Sequence, residues 1–229
     1  MLINQLVKYK MPIKPKSLGT RGQPEQTRAA ILKAAILEFA REGAAGARTD
    51  AIARAAKVNK ALLYYYFKDK ETLYGAALDY AFSQLKDHMM QILDRDLPPG
   101  EKVRTYVATY FDFLADHKVN RDLVQREMMR AGHGSPHLQR IAKNYFQPLF
   151  LRLGQVIHAG IASGEFRSVD PLHFVPSMIA LVVFYFTSAP VMKTVTGFDP
   201  LSPERVAERR AAVLDFISAA LFRHEGERR

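Results

Sequence analysis

Three consecutive tyrosines, Tyr64 to Tyr66, stand between Lys60 and Lys70 in the segment TDAIARAAKVNKALLYYYFKDK. Consecutive residues of a helix point about 100° apart, so three adjacent tyrosines cannot all be buried in one core. Phenol hydroxyls bind phosphate oxygens, aromatic rings pack on sugars and thymine methyls, and lysines neutralise phosphates. The chemistry that these residue types favour is therefore contact with a nucleic acid.

Two short helices around a tight turn are predicted to position these side chains. Thr49 or Asp50 can cap the first helix through a side-chain oxygen, and Asn59 can cap the second. Leu63 and Phe67 are four residues apart, so both are predicted to face back onto the first helix. The side chains that remain on the outer surface are Lys60, Ala61, Leu62, Tyr64, Tyr65 and Tyr66.

The longer segment from Thr27 to Leu73 reads TRAAILKAAILEFAREG, then a loop, then IARAAKVNKALLYYYFKDKETL. This segment resembles the N-terminal signature of the TetR family of transcriptional regulators. The resemblance implies an all-α protein, in which an N-terminal three-helix DNA-binding domain with a helix-turn-helix precedes a C-terminal helical bundle for ligand binding and dimerisation. Lys57 departs from the pattern, because the family usually has glycine at that turn, and a positive φ there would cost about 1 kcal/mol relative to glycine.

The resemblance and the facing of the second short helix together predict the DNA contacts. The residues expected at or near the major groove are Lys60, Leu62, Tyr64 and Tyr65, with Arg48 and Thr49 approaching from the preceding helix. The residues expected on phosphates are Thr27, Arg28, Tyr66 and Lys70. Half-sites of a dimeric helix-turn-helix protein lie about one helical turn of DNA, or a multiple, apart.

Basic residues are concentrated at the N-terminal end of the chain. Residues 1–70 hold 14 lysines and arginines against 5 acidic residues, whereas the remaining residues hold 19 against 18. Nearly all of the net charge of +10 therefore belongs to the N-terminal part. Charge added for solubility would be spread evenly, so this asymmetry is typical of a nucleic-acid-binding lobe joined to a near-neutral lobe.

Three segments are predicted along the chain: a flexible basic arm (1–22), the helix-turn-helix domain (23–70), and the regulatory, ligand-binding and dimerisation domain (71–229). The apolar runs of the arm are too short for a signal peptide, and lysines and prolines interrupt them. The arm either follows DNA into the minor groove or is an extension ahead of a true start at Met11. The chain has no cysteine, which excludes disulfides, thiol catalysis and cysteine-ligated zinc.

Helical periodicity continues to the end of the chain. The predicted helices cover about 24–42, 70–94, 101–117, 120–130, 137–164, 171–189 and 203–222. The run Phe174–Ala189 is apolar almost throughout, but at about 16 residues it is shorter than a bilayer span and it contains Pro176. A buried helix is therefore predicted, with no membrane partner. In TetR-like proteins the last two long helices pair with their copies, which implies a homodimer.

No catalytic motif is found, so we expect neither an enzyme nor a cofactor. His133 and His137 are four residues apart, but Gly134 and Pro136 argue against a shared helix face, so no metal site is expected. Aromatic residues and methionines of the bundle suit an apolar ligand, although such stripes are more often simple core. The predicted ligand-binding set is Tyr106, Tyr110, Phe113, Met128, Phe146, Phe150, Met178 and Phe184. Glu127 or His117 is an additional candidate for a polar ligand contact.

These observations predict a one-component transcriptional regulator that binds double-stranded DNA. The most direct form is a homodimeric repressor, released from a palindromic operator by a small apolar or aromatic effector, in the cytoplasm at the nucleoid. One alternative is an architectural or protein-interaction factor that binds DNA and has no small-molecule effector. Another is a helical enzyme or a carrier of a hydrophobic molecule, which the basic N-terminal lobe argues against.

Overall fold

The computed structural model describes residues 24–223, so the predicted basic arm lies outside the described residues. The described chain is helical, as predicted, and its β-structure is limited to an isolated bridge between Phe166 and Phe222. The helices in chain order are α1 (Pro24–Gly46), α2 (Thr49–Ala55), α3 (Lys60–Phe67), α4 (Lys70–Leu93), α5 (Pro99–Asp116), α6 (Lys118–Ala131), α7 (Leu138–Ile141), α8 (Gln147–Ala162), α9 (Pro171–Thr196) and α10 (Pro203–Leu221). A π-helical turn, Ala142–Phe146, joins α7 to α8.

Glycine and proline positions explain where the helices differ from the prediction. Gly43 was predicted to end α1, and its φ of 73° does break the helical backbone, but a further helical turn reaches Gly46. The single long helix predicted over 137–164 is instead interrupted by the π-helical turn. Pro148 lies two residues after the end of that turn, and it lacks the N–H that a continuous α-helix would bond to the carbonyl of Asn144.

Helix α9 is longer than predicted, because Pro190 does not end it. A proline inside a helix removes one backbone hydrogen bond, and the helix continues to Gly197, whose left-handed φ of 77° provides the stop. At 26 residues, α9 is long and apolar enough to cross a membrane by length and composition alone, so the predicted shortfall in length is wrong. In the described structure α9 packs against α8 and α10, and 33% of its most apolar stretch is buried.

The chain divides into two compact units. Among the described residues, the first comprises 24–81 together with Asp116–His137, and the second comprises Phe82–Ala115 and 138–223. Helix α6, which packs along α1, therefore belongs to the first unit. The boundary predicted after Lys70 separates residues that the structure groups together.

Each unit has a core of its own. In the first unit, α1 supplies Ile31 and Phe39, the two short helices supply Ile52, Leu63 and Phe67, and all five side chains are buried. In the second unit the buried apolar side chains come from the second part of α4 and from α5, α8, α9 and α10. The first core fixes the orientation of α2 and α3, and the second surrounds a cavity.

Candidate nucleic-acid interface

The turn between α2 and α3 holds the second short helix by its N-terminus. The side-chain oxygen of Asn59 accepts a 2.7 Å hydrogen bond from the backbone N–H of Leu62, as the sequence predicts. Lys57 has a φ of 57°, so a lysine does occupy the strained left-handed position where the family usually has glycine. Leu63 and Phe67 are buried, which confirms the predicted inward face of α3.

The opposite face of α3 presents its aromatic side chains to solvent. Tyr65 is 81% exposed and Tyr64 is 37% exposed, whereas Tyr66 is half-buried. The rings of Tyr65 and Tyr66 meet edge to face, with centroids 5.3 Å apart. Lys60 is exposed and Leu62 is half-buried on the same short helix. An exposed aromatic cluster of this kind forms a rigid surface for base edges and sugars.

Two side-chain contacts join the start of α2 to this outer face of α3. The hydroxyls of Thr49 and Tyr64 are 3.3 Å apart, within hydrogen-bond distance. The Nζ of Lys60 lies 3.0 Å from the Oδ1 of Asp50. The hydrogen bond and field of Lys60 hold the pKa of Asp50 below its usual value, and Asp50 raises the pKa of Lys60. Asp50 is therefore an anion on the surface that is predicted to bind DNA. The sequence reasoning missed its contact with Lys60.

The remaining residues that are predicted to contact DNA lie at the start of α1 and just before α2. Arg28 is exposed, and its guanidinium carbon lies 4.9 Å from the ring centroid of Phe67. Thr27 is half-buried. Arg48 is exposed and occupies the cap position of α2, so the predicted side-chain cap from Thr49 or Asp50 is wrong.

Lys70 has a structural partner that the sequence reasoning did not foresee. Its Nζ donates a 2.9 Å hydrogen bond to the carbonyl of Ala45, at the end of α1. This bond ties the start of α4 to the segment before α2. If Lys70 binds a phosphate, its ammonium group must either leave the carbonyl of Ala45 or bond both groups at once.

The second unit contains a cavity of about 180 Å³ between α4, α5, α8 and α9. Its lining residues are Leu85, Met89, Tyr106, Tyr110, Phe146, Leu149, Phe150, Leu153, Val175, Pro176 and Ile179. Four of the eight residues predicted to bind a ligand are among them. The other four lie outside that lining: Phe113 and Met178 are buried in the core, Phe184 is 67% exposed, and Met128 belongs to the first unit.

The additional polar candidates for ligand binding also lie in the first unit. Glu127 is fully buried there, where it accepts a 3.0 Å hydrogen bond from the hydroxyl of Tyr74 and another from Ser135. His117, the other candidate, is half-buried at the N-cap of α6. Within residues 24–223 there is no group of three histidines or acids placed to hold a metal ion.

Two family profiles match the chain. Residues 31–77 match the profile described as bacterial regulatory proteins, tetR family. Residues 99–217, just over half of the chain, match the profile described as tetracyclin repressor-like, C-terminal domain. The chain belongs to the TetR family of transcriptional regulators. It is a DNA-binding regulator with a helix-turn-helix, and not an enzyme.

Other TetR-family proteins extend the likeness along most of the chain. The HTH-type transcriptional repressor NicS of Pseudomonas putida is 28% identical over 174 residues, which cover 76% of this chain and 82% of NicS. The HTH-type transcriptional regulator RutR of Escherichia coli is 29% identical over 186 residues, covering 80% and 84%. The ketosteroid transcriptional regulator KstR2 of Mycobacterium tuberculosis shares the fold, with a TM-score of 0.68 at 20% identity over 90% of this chain and 100% of that chain.

Arg126 and Arg130 add contacts around the TetR-family helix-turn-helix that sequence reasoning missed. Arg126 donates hydrogen bonds of 2.9 and 2.8 Å to the carbonyls of Ala40 and Arg41, near the end of α1. The guanidinium of Arg130 bonds both carboxylate oxygens of Glu71. The only sequence feature that could have indicated these contacts is the four-residue spacing of the two arginines on a polar helix. That spacing is equally typical of a helix face exposed to solvent.

Proposed function

We propose that this TetR-family regulator is a homodimeric repressor that binds a palindromic operator and is released by a small apolar or aromatic ligand. The observation that carries the proposal is the two-sided recognition helix. One side of α3 is fixed in the core by Leu63 and Phe67, and the other presents Tyr65 and Lys60 outward. A buried anchor beneath exposed contact groups is what base readout needs, because the core fixes the position of the side chains that touch DNA.

The assignment of a repressor is supported by the family and by the name of one relative. NicS is named a transcriptional repressor and covers most of this chain. The groove-facing contacts would come from Lys60, Leu62, Tyr64 and Tyr65, and the phosphate contacts from Thr27, Arg28, Tyr66 and Lys70. We place this activity in the cytoplasm, at the nucleoid.

The cavity of the second unit supports the release step. An apolar cavity next to the second part of α4 is a natural place for an effector, since α4 is one continuous helix from Lys70 to Leu93. A ligand changes operator affinity only if it prefers one arrangement of the recognition helices over another. A coupling of about 1–3 kcal/mol would shift operator affinity roughly 5–150-fold.

The exposed apolar residues of α9 and α10 support the dimer. Phe184, Val191 and Val195 on α9 and Phe216 on α10 are all exposed, although each is large and apolar. A second copy of these helices would remove them from water, as in the four-helix interface of the family.

The experiment is a binding titration with the DNA that lies upstream of the protein's own gene. We expect tight binding to this duplex, much weaker binding to a scrambled duplex of equal length, and a stoichiometry of one dimer per site. Expression of a reporter from the same promoter should rise when the protein is removed. Equal affinity for both duplexes would contradict the operator, and reporter expression that falls would contradict repression.

A further inference from the structure

Two phenol groups in the cavity have no hydrogen-bond partner within residues 24–223. Tyr106 and Tyr110 are one helical turn apart on α5, are only 3% and 9% exposed, and have ring centroids 6.3 Å apart. Neither hydroxyl oxygen is among the fully buried polar atoms that lack a partner, so both are open to the cavity, where a ligand can accept hydrogen bonds from them.

The two phenols are hydrogen-bond donors at any physiological pH. Burial raises the pKa of both, and the neighbouring Tyr106 raises the pKa of Tyr110 further, so neither ionises. The other described lining residues are aliphatic, aromatic or thioether side chains, and none is acidic or basic. A charged ligand group would be buried there without a counter-charge, which is strongly unfavourable.

The cavity opens to solvent on one side, and its volume indicates the size of the group that it can enclose. An apolar cavity of about 150 Å³ holds a benzene molecule. The 180 Å³ here therefore admits one six-membered ring with a short substituent. A carbonyl oxygen has two lone pairs, so a single such group can accept from both phenols.

We infer that the ligand is an uncharged single-ring compound whose one hydrogen-bond acceptor is held by Tyr106 and Tyr110. This inference rests on the proposed function, in which the cavity is the effector site. The rings of Phe146 and Phe150 would pack on the ligand's ring, and the two phenols would select its polar group.

The test uses the full chain and three probes of similar shape: acetophenone, ethylbenzene and benzoate. Calorimetric titration should show binding of acetophenone and ethylbenzene and none of benzoate at the same concentrations. Tyr106→Phe and Tyr110→Phe should each weaken acetophenone about fivefold relative to ethylbenzene, since each removes one hydrogen bond. Tyr145→Phe is the matched control, because Tyr145 lies just before Phe146 but outside the cavity lining.

The ethylbenzene affinity of each variant shows whether its cavity is intact. The inference is overturned if the double variant keeps the acetophenone-to-ethylbenzene ratio of the wild type, if benzoate binds as tightly as acetophenone, or if acetophenone does not bind. Operator affinity is measured separately with each probe. Tyrosine-dependent probe binding that leaves operator affinity unchanged would overturn the release mechanism and leave the ligand chemistry standing.

Discussion

At the scale of single residues, Asp50 is the least expected member of the DNA-binding surface. It is half-exposed and lies 3.0 Å from Lys60, a cation that is predicted to lie at the major groove. Its carboxylate repels phosphates and competes with DNA for Lys60. Such an anion lowers affinity for DNA, and it lowers affinity for random DNA more if the operator offers Lys60 a better partner, which improves discrimination.

Asp50→Asn is therefore expected to raise affinity for non-specific duplex several-fold. Lys60 becomes free to neutralise one more phosphate. The slope of log K against log salt should therefore become more negative by roughly 0.9. Fluorescence anisotropy with random-sequence duplex at several salt concentrations measures both quantities. Asp87→Asn, which removes an exposed charge in the second unit, is the control. A loss of non-specific affinity in Asp50→Asn would contradict the competition.

Tyr65 is expected to contribute to binding and hardly at all to stability. Tyr65→Ala should weaken operator binding by roughly 1–3 kcal/mol, the range for a base-proximal contact, because the ring is the most exposed large group of α3. Leu63→Ala, on the buried side of the same helix, should instead lower the free energy of unfolding by about 2–5 kcal/mol. Operator titrations and urea unfolding of both variants decide the matter, and the reverse pattern would contradict the facing of α3.

At the scale of elements, α6 joins two other helices of the first unit through polar contacts. Its Glu127 accepts from Tyr74 of α4, and its Arg126 bonds two backbone carbonyls of α1. These partners are more than fifty residues apart in the chain. Helix α6 therefore fixes α1 relative to the start of α4, the two helices that flank the helix-turn-helix.

Removal of the Tyr74 hydroxyl tests this role of α6. Tyr74→Phe leaves the buried Glu127 with one donor fewer, so the free energy of unfolding should fall by about 1–3 kcal/mol. Tyr64→Phe removes an equivalent hydroxyl whose contact with Thr49 is exposed, and it should change stability much less. Urea unfolding is the measurement. Equal stability of Tyr74→Phe and the wild type would show that the buried bond contributes nothing.

At the scale of the whole molecule, the charge asymmetry should dominate the energetics of DNA binding. Residues 1–70 carry most of the net charge of +10, so binding releases many counterions. Operator affinity should fall steeply as salt rises, with a slope of roughly −0.9 for each phosphate neutralised. A flat plot of log K against log salt would contradict the assignment of this lobe to DNA.

Control of the molecule by a ligand should depend on the cavity and not on the DNA-binding surface. Val175→Phe adds a ring to the cavity wall, where Val175 is buried. We expect the variant to bind the operator normally and to lose its response to acetophenone, at a cost of about 1–3 kcal/mol in stability from overpacking. Operator titrations with and without the probe measure the response. A full response in a folded Val175→Phe protein would place the effector elsewhere.

The sequence by itself determined the features that depend on short-range periodicity and on charge. The facing of Leu63 and Phe67, the Asn59 cap and the basic N-terminal lobe are local properties, and the structure confirms the first two. The family resemblance rests on the same contiguous residues. Helix ends were predicted less well, because Pro190 and Pro148 affect a helix according to what surrounds them.

Only the tertiary structure decided which distant residues meet. An amphipathic pattern shows that α6 has a buried side, but it does not name α1 as the helix that covers it. For the same reason, periodicity did not distinguish Tyr106 and Tyr110 from Phe184. All three lie in apolar helical patterns, but the first two line the cavity and Phe184 is exposed. Periodicity fixes direction around one helix axis, whereas a cavity or an ion pair such as Asp50–Lys60 depends on the relative placement of several helices.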